Sequence, residues 1–440
     1  MKRPISAMVL CGVLFLSTAV SGDEFSPDSI KTLMKKAANY SFQQFGAGTA
    51  AGLDNDWSRG TILTGIMGLY RVTQEKQWLD SVDKWGTKHN WTWASSNSAN
   101  NYCCLQTYCE RYIVDPKPEN VYMYQPSKTI IDNVMKGSMA DLFGWQDVLY
   151  MGPPVFSMVG SITAGMVYYD SLTSTWHGAK TRLFDTTYKL WYWDPKVVST
   201  KTKMGYPQFW GPGNAWVIGG MVRSLKYMPV NYKFRADWVA EFKQLCDTLR
   251  SKQQPDGMWR TSLYEPTEFP DPEASCTSFF TYAFALGVKW GLLDKTTYSP
   301  VIRKAWVALV KCLKINGMLG RCQSWSLAPG GAGVDNNIPE GQGAFMLAGE
   351  GVITILDSLG GTEAVAKVSS SKRESHKDAA KFVNFTENSI LIPAETQSVC
   401  VYDFQGKIIF KQNFKKTSTD GWISFANLQH KHRIAVVKFE

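Results

Sequence analysis

Ser275-Cys-Thr-Ser-Phe-Phe-Thr-Tyr-Ala-Phe-Ala-Leu-Gly-Val-Lys-Trp290, then Gly291-Leu-Leu-Asp-Lys-Thr-Thr-Tyr-Ser299, then Pro300-Val-Ile-Arg-Lys-Ala-Trp-Val-Ala-Leu-Val-Lys-Cys-Leu-Lys-Ile315, is the stretch that decides the fold. Both long runs carry apolar residues at three and four spacing, which is the period of a helix, and the short polar segment between them is a turn. The same pattern recurs along the chain. It predicts helices over Ser29 to Phe45, Gly60 to Thr73, Trp78 to His89, Cys103 to Ile113, Ser127 to Met135 and Val155 to Leu172. It predicts others over Thr175 to Trp191, Ala215 to Leu225, Phe234 to Gln253 and Gly341 to Leu356. The reading is all-α: twelve helices with short connections, hence six hairpins, which can close into a ring with a funnel where the loops converge.

Composition narrows the function classes. Lys2 and Arg3, an apolar run from Ala7 to Val20 and Ser21-Gly22 before Asp23-Glu24 read as a signal peptide over residues 1–22. No later segment reaches eighteen uninterrupted apolar residues, so no membrane span is expected. Without the leader 45 basic residues face 38 acidic ones, and an excess of five falls in Lys367 to Glu440. The main domain is nearly neutral, which argues against a nucleic-acid partner. Eight cysteines remain, scattered and without metal-ligand spacing, and read as buried small hydrophobes.

Beyond Ala364 the character changes. Residues 365–385 are rich in Ser, Lys and Ala, as in a linker, and 386–440 alternate apolar and polar residues in short runs with a Gln405-Gly406 turn. The expected organisation is a helical domain over 23–364, that linker and a small C-terminal β module.

Tryptophans crowd the connections: Trp57, Trp91, Trp93, Trp145, Trp191, Trp193, Trp210, Trp216, Trp259 and Trp325. Singly each suits core packing; together they favour a sugar-stacking cleft. The densest chemical signal is Phe143-Gly-Trp-Gln-Asp147-Val-Leu-Tyr-Met-Gly-Pro-Pro154. A carboxyl among Trp145, Tyr150 and Met151 would be desolvated, which raises its pKa and suits it to donate a proton; it could equally be a helix N-cap. Asp54-Asn-Asp56-Trp57-Ser-Arg59 reads as a helix start with Ser58 as cap or as site residues, and Asp271-Pro-Glu273-Ala-Ser275 as a helix start or a cleft carboxylate.

In order, Asp56-Trp57, Asn100-Asn101-Tyr-Cys-Cys-Leu-Gln106-Thr-Tyr108, Trp145-Gln-Asp147-Val-Leu-Tyr-Met-Gly-Pro-Pro154, Gly213-Asn214-Ala-Trp216, Gln254-Pro-Asp-Gly257-Met-Trp259 and Pro272-Glu273-Ala-Ser275 resemble the unsaturated glycuronyl hydrolases. The match is nearest to the rhamnogalacturonyl hydrolases of glycoside hydrolase families 105 and 88, and it spans about Lys31 to Pro329. The resemblance implies an (α/α)6 toroid, no cofactor, no metal, and attack on the terminal 4,5-unsaturated uronic acid of lyase-made oligosaccharides. It implies that Asp147 protonates carbon 4 and helps water add at carbon 5, unlike the two-carboxylate glycosidases. Substrate contacts are assigned to Trp57, Arg59, Asn100, Asn101, Trp145, Met151, Trp210, Asn214, Trp216 and Glu273.

Two positions depart from the family pattern. Ala99-Asn100-Asn101 stands where Ala-Asp-Asp is usual, and Pro212 stands where an arginine usually precedes Gly-Asn-Gly-Trp. Three readings follow: Arg59 or Arg260 substitutes, the substrate differs, or the chain is a degenerate carbohydrate-binding homologue. A glycosidase of other specificity on the same fold is a further alternative. The tail Val401-Tyr-Asp-Phe-Gln-Gly-Lys-Ile-Ile-Phe410 with Ala435-Val-Val-Lys-Phe439 resembles a Bacteroidetes-type secretion sorting domain, which implies a secretion-machinery partner and a secreted, periplasmic or cell-surface location.

Overall fold

The computed structural model describes residues 24–45, 54–93, 99–139 and 141–359, and the backbone of six short strands between 385 and 439. The signal segment 1–22 and residues 365–384 lie outside the described residues. The chain divides into two units, Met1–Gly361 and Thr362–Glu440.

In the first unit twelve long helices and one short one are described. They are α1 (Pro27–Gln44), α2 (Trp57–Thr73), α3 (Lys76–Lys88), α4 (Tyr102–Val114), α5 (Gln125–Lys136), α6 (Val148–Met151) and α7 (Pro153–Thr163). There follow α8 (Met166–Leu183), α9 (Gly211–Tyr227), α10 (Arg235–Arg250), α11 (Ala274–Lys289), α12 (Lys295–Cys312) and α13 (Pro339–Thr354). Contacts run α2 to α4, α4 to α7, α7 to α9, α9 to α11, α11 to α13 and α13 back to α2, so six inner helices close a ring. Their partners lie outside: α1 on α13 and α2, α3 on α2 and α4, α5 on α4 and α7, α8 on α7, α10 on α9 and α11, α12 on α11 and α13. This is the six-hairpin toroid.

Sequence sorts the two shells. Every residue from Ala274 to Val288 of α11 and from Gly211 to Leu225 of α9 is buried, as an all-round apolar or small-residue helix must be. In outer α3 only Trp78, Val82, Trp85 and Gly86 are buried, one stripe of an amphipathic helix. The seam between α2 and α13 is tight because both helices carry glycine there. A Cβ on Gly343 would lie 2.2 Å from the Thr61 carbonyl oxygen, and one on Gly65 would lie 2.6 Å from that of Gly343. Gly343→Ala therefore forces these helices apart; a loss of about 1–3 kcal/mol in urea-measured stability is expected, and an unchanged midpoint would refute the seam.

Two helix limits differ from the sequence reading. The helices expected over Val155 to Leu172 and Thr175 to Trp191 break instead at Ala164, whose φ of 54° puts it in the left-handed region, followed by Gly165. The Thr173-Ser-Thr stretch at the junction of the two expected ranges is interior to α8, its Thr173 hydroxyl accepting from the Trp238 indole and the Tyr232 hydroxyl at 3.0 and 3.1 Å. Residues 184–191 form a hairpin, β1 (Phe184–Asp185) against β2 (Leu190–Trp191). Helix α12 starts at Lys295, capped by Asp294, and carries Pro300 inside it.

In the second unit β3 (Phe385–Thr386), β4 (Ser389–Ile392) and β7 (Gly421–Ser424) form one antiparallel sheet in the order β3-β4-β7. Strands β6 (Ile408–Asn413), β5 (Ser398–Asp403) and β8 (Ile434–Phe439) form another in the order β6-β5-β8.

Candidate active site

A cavity of about 310 Å³ opens where inner helices begin. Its wall takes Trp57 from the head of α2, Asn100 ahead of α4, Asp147 ahead of α6, Pro212 of α9, Ser275 of α11, and Ile338 and Glu340 at the head of α13. Helix N-termini aimed at one space favour a negative ligand there. Six tryptophans line it, Trp57, Trp145, Trp193, Trp210, Trp216 and Trp325, with Gln323, Ser324 and Leu327 completing the far side. Broad indole faces with a few polar groups suit a pyranose ring.

Asp147 sits at the N-cap of α6, yet its carboxyl makes no cap hydrogen bond. Only its backbone carbonyl serves the helix, accepting from Tyr150 and Met151. The carboxyl instead accepts from the Trp193 indole N–H at 2.9 Å. Burial pushes its pKa up to about 6, and the Trp193 bond opposes that rise in part. The result is an acid that keeps its proton in mildly acidic solution and faces a sugar-sized space.

The short helix behind Asp147 is held from below. Pro153 and Pro154 have no N–H to give, so carbonyls of α6 lack their usual helical partners. Gln106 supplies the missing donor, its side-chain amide donating to the carbonyls of Tyr150 and Met151 at 2.8 and 3.1 Å. Trp193 is placed by a second clamp. Asn214 accepts from the Trp191 N–H at 3.0 Å and donates to its carbonyl at 3.1 Å, and the Gln146 side chain donates to the same carbonyl at 2.7 Å. Gly213 leaves the room for this, since a Cβ there would lie 1.7 Å from Gln146 Oε1.

The structure brings Trp57, Asn100, Trp145, Asp147, Trp210 and Trp216 together on the cavity wall and sets five other sequence-selected residues behind it. Arg59 is buried against Asp54 at 2.9 Å, with Lys88 and His89 on the same carboxylate, so it offers the cavity no charge. Arg260 pairs with Asp256 at 2.7 Å and does not line the cavity either. Asn101 reaches across to accept from the Trp57 N–H at 3.0 Å, an orphan donor at the start of α2. Asp56, rather than Ser58, caps that helix, accepting from Ser58 and Arg59. Met151 is fully buried, turned to the core because its short helix presents Asp147 instead. Asn214 is the clamp on Trp191. Glu273 caps α11 at Cys276 and accepts from the Gln323 N–H at 2.9 Å, which fixes the wall residue Gln323, itself accepting from the Trp210 indole at 2.8 Å. Of the ten tryptophans in connections, Trp91, Trp191 and Trp259 are core.

Sequence reasoning did not select Trp193, Gln323, Trp325 or Glu340 as site residues. Trp193 and Trp325 stood out only as two tryptophans among many, and nothing local marks Glu340. The seven described cysteines are all buried and free.

The glycosyl hydrolase family 88 model matches residues 30–356, three quarters of the chain. The chain belongs to glycosyl hydrolase family 88. It is a glycoside hydrolase of the unsaturated glycuronyl type. It is 29% identical over 320 residues to an unsaturated 3S-rhamnoglycuronyl hydrolase of Formosa agariphila, covering 68% of this chain and 85% of that protein. A protein described by the same name from an Alteromonas species is 25% identical over 370 residues, covering 75% and 88%. A solved family 88 structure from Bacteroides vulgatus superposes with a TM-score of 0.69 at 26% identity, over 74% of this chain and 99% of that one. The family 88 toroid is thus the frame on which this chain's site is built.

Proposed function

We propose that this family 88 chain removes the terminal 4,5-unsaturated uronic acid from lyase-made oligosaccharides whose next sugar is rhamnose. The observation that carries the reading is the Asp147 carboxyl, buried, raised to about 6, spared from capping and turned to a tryptophan-lined cavity. Asp147 gives its proton to carbon 4 of the enol ether. Water then adds at carbon 5, and the carboxylate takes the proton that water releases, so the acid is regenerated and the net change is addition of one water. The resulting hemiketal opens and frees the rest of the sugar.

The two relatives are named for a 3-sulfated rhamnose linkage. The wall of this cavity holds no Lys, Arg or His among the described residues, which favours the unsulfated pectic rhamnogalacturonan product. Loss of the enol-ether absorbance on pectic but not on 3-sulfated rhamnoglycuronyl oligosaccharides is the expected result. Loss on the sulfated one alone reassigns the substrate, and loss on neither favours a binding role, the reading that the Asn100 and Pro212 departures support.

Trp193→Phe provides a check on the proton donor. Its N–H stabilises the ionised carboxylate, so removing it raises the pKa of Asp147, and the alkaline limb of kcat/KM is expected to move to higher pH. A limb that stays in place excludes Asp147 as the titrating acid.

We also read residues 1–22 as an export signal and 386–440 as a secretion tail. N-terminal sequencing of protein from the medium or cell surface is expected to begin near Asp23.

A further inference from the structure

A second acid, Glu340 at the head of α13, lines the same cavity as Asp147. Glu340 is 1% exposed, and its Oε2 accepts from the Trp325 indole N–H at 3.1 Å. Trp325 packs against Trp57 with ring centroids 5.7 Å apart, so the carboxyl is anchored to an aromatic pair on the wall. The other oxygen, Oε1, is buried and has no partner at full hydrogen-bond geometry, although the Ser58 hydroxyl lies beside the carboxyl as a donor to it. A carboxyl oxygen with no more than the Ser58 hydroxyl beside it, at a ligand-sized space, keeps capacity for a donor or acceptor from outside the chain.

The side-chain charge that acts most on it is negative, while Arg59 at the head of α2 is spent on Asp54. Asp56 ahead of α2 acts on Glu340, and the thiols of Cys103 in α4 and Cys322 ahead of α13 lie in its field. From α11 the nearby carboxylate, Glu273, is turned to Ser275, Cys276 and Gln323, and from α1 the Tyr40 hydroxyl accepts from Asn337. Among the described residues no cationic side chain lines the cavity, and Pro212 occupies the wall at the position where the family pattern has an arginine. An anionic sugar entering this space would make a third negative group beside two carboxyls, and repulsion in low dielectric forbids all three to be ionised.

We propose that Glu340, carrying a proton, binds the carboxylate of the acidic terminal sugar through Oε1, so that sugar binding takes up a proton. The inference rests on the proposed function for the identity of that sugar. Burial already pushes the Glu340 carboxyl up to about 7, and a bound anion pushes it higher. A neutral acid in this place also does what an arginine cannot. A guanidinium would hold the uronate but add a positive charge that favours ionised Asp147; a protonated Glu340 donates a charge-assisted hydrogen bond and adds none.

The test uses the full chain with Asp147→Asn, which removes the other titrating acid, and galacturonyl-rhamnose disaccharides, both unsaturated and saturated. Calorimetry in two buffers of different ionisation enthalpy is expected to give uptake of a fraction of a proton near pH 7, with affinity falling up to about tenfold per pH unit above that. Adding Glu340→Gln is expected to abolish the uptake and flatten the pH dependence, with native near-UV dichroism. No uptake in the Asp147→Asn protein, or the same uptake after Glu340→Gln, overturns the inference. Uptake on the saturated sugar, with no consumption of the double bond by the wild-type chain, upholds it while the hydrolysis reading fails. No binding of either sugar at any pH overturns both.

Discussion

Asp147→Asn is expected to lower turnover of unsaturated uronyl oligosaccharides by about 10⁴-fold, the upper end of what one general acid contributes. The upper end is appropriate because one carboxyl both gives the proton to carbon 4 and takes the proton from water. Asparagine keeps the shape and can still accept from Trp193, and the α6 cap uses only the backbone of residue 147, so the fold and KM should hardly change. A fall in kcat without a rise in KM marks a group that acts in the transition state. The pH sign follows from the same burial. The working form is the neutral acid, and its pKa lies near 6, so kcat/KM of the wild-type chain is full below that value and declines as pH rises through it. An Asp147→Asn protein that retains even a tenth of the activity removes Asp147 from the chemistry.

What the sequence made legible followed from local rules. Twelve helices could be read because outer and inner segments alike keep apolar residues at helical spacing, and the inner seams close where Gly65 and Gly343 permit. The place of Asp147 on the cavity wall could be read because the Trp145-to-Pro154 motif around it is local, whereas its hydrogen-bond partner Trp193 lies 46 positions away. Arg59, Asn101, Met151, Asn214 and Glu273 lie behind the cavity wall, not on it, because a residue near a loop serves either the cavity or the packing of the loop, and only the fold tells which. Asp54 lies five residues before Arg59 and neutralises it, while Asn101 crosses 44 positions to cap Trp57. Glu340 was invisible for the converse reason. Its chemistry comes from Trp325, Asp56 and a cavity assembled from six helix beginnings, none of which is local to Pro339-Glu-Gly-Gln.

At the other end of the ring, where the inner helices finish, a buried ionic cluster ties four of them together, and Glu110→Gln is expected to cost about 3–5 kcal/mol of stability. Glu110, near the end of α4, lies 3.2 Å from Arg223 of α9 and 3.2 Å from Arg71 of α2, and accepts from the Tyr227 hydroxyl at 2.7 Å. Glu350 of α13 takes Arg71 through two bonds of 2.6 and 2.8 Å. Arg223 is fully buried, so glutamine in place of Glu110 would strand its guanidinium without a counter-charge. Arg223 also donates to Gln106 at 2.7 Å, and Gln106 holds the helix behind Asp147, so a moderate fall in kcat should accompany the loss.

The pH dependence of that loss has two signs. Arg223 and Arg71 hold the Glu110 carboxyl well below its ordinary value despite its burial. Its stabilisation is therefore present at neutral pH and fades as pH falls below about 4.3, the ordinary value. The gap between wild type and variant should narrow there. Lys226 behaves oppositely: burial, aided by Arg71, lowers its pKa to about 8, so between about 8 and about 10.4 the unfolded chain binds the extra proton and stability rises with pH. Removing the Glu110 charge lowers Lys226 further and starts that rise at a lower pH. Urea midpoints from pH 3 to pH 10 read both effects, and a Glu110→Gln gap that stays constant across the acid range would show that the cluster does not bind Glu110 as an ion.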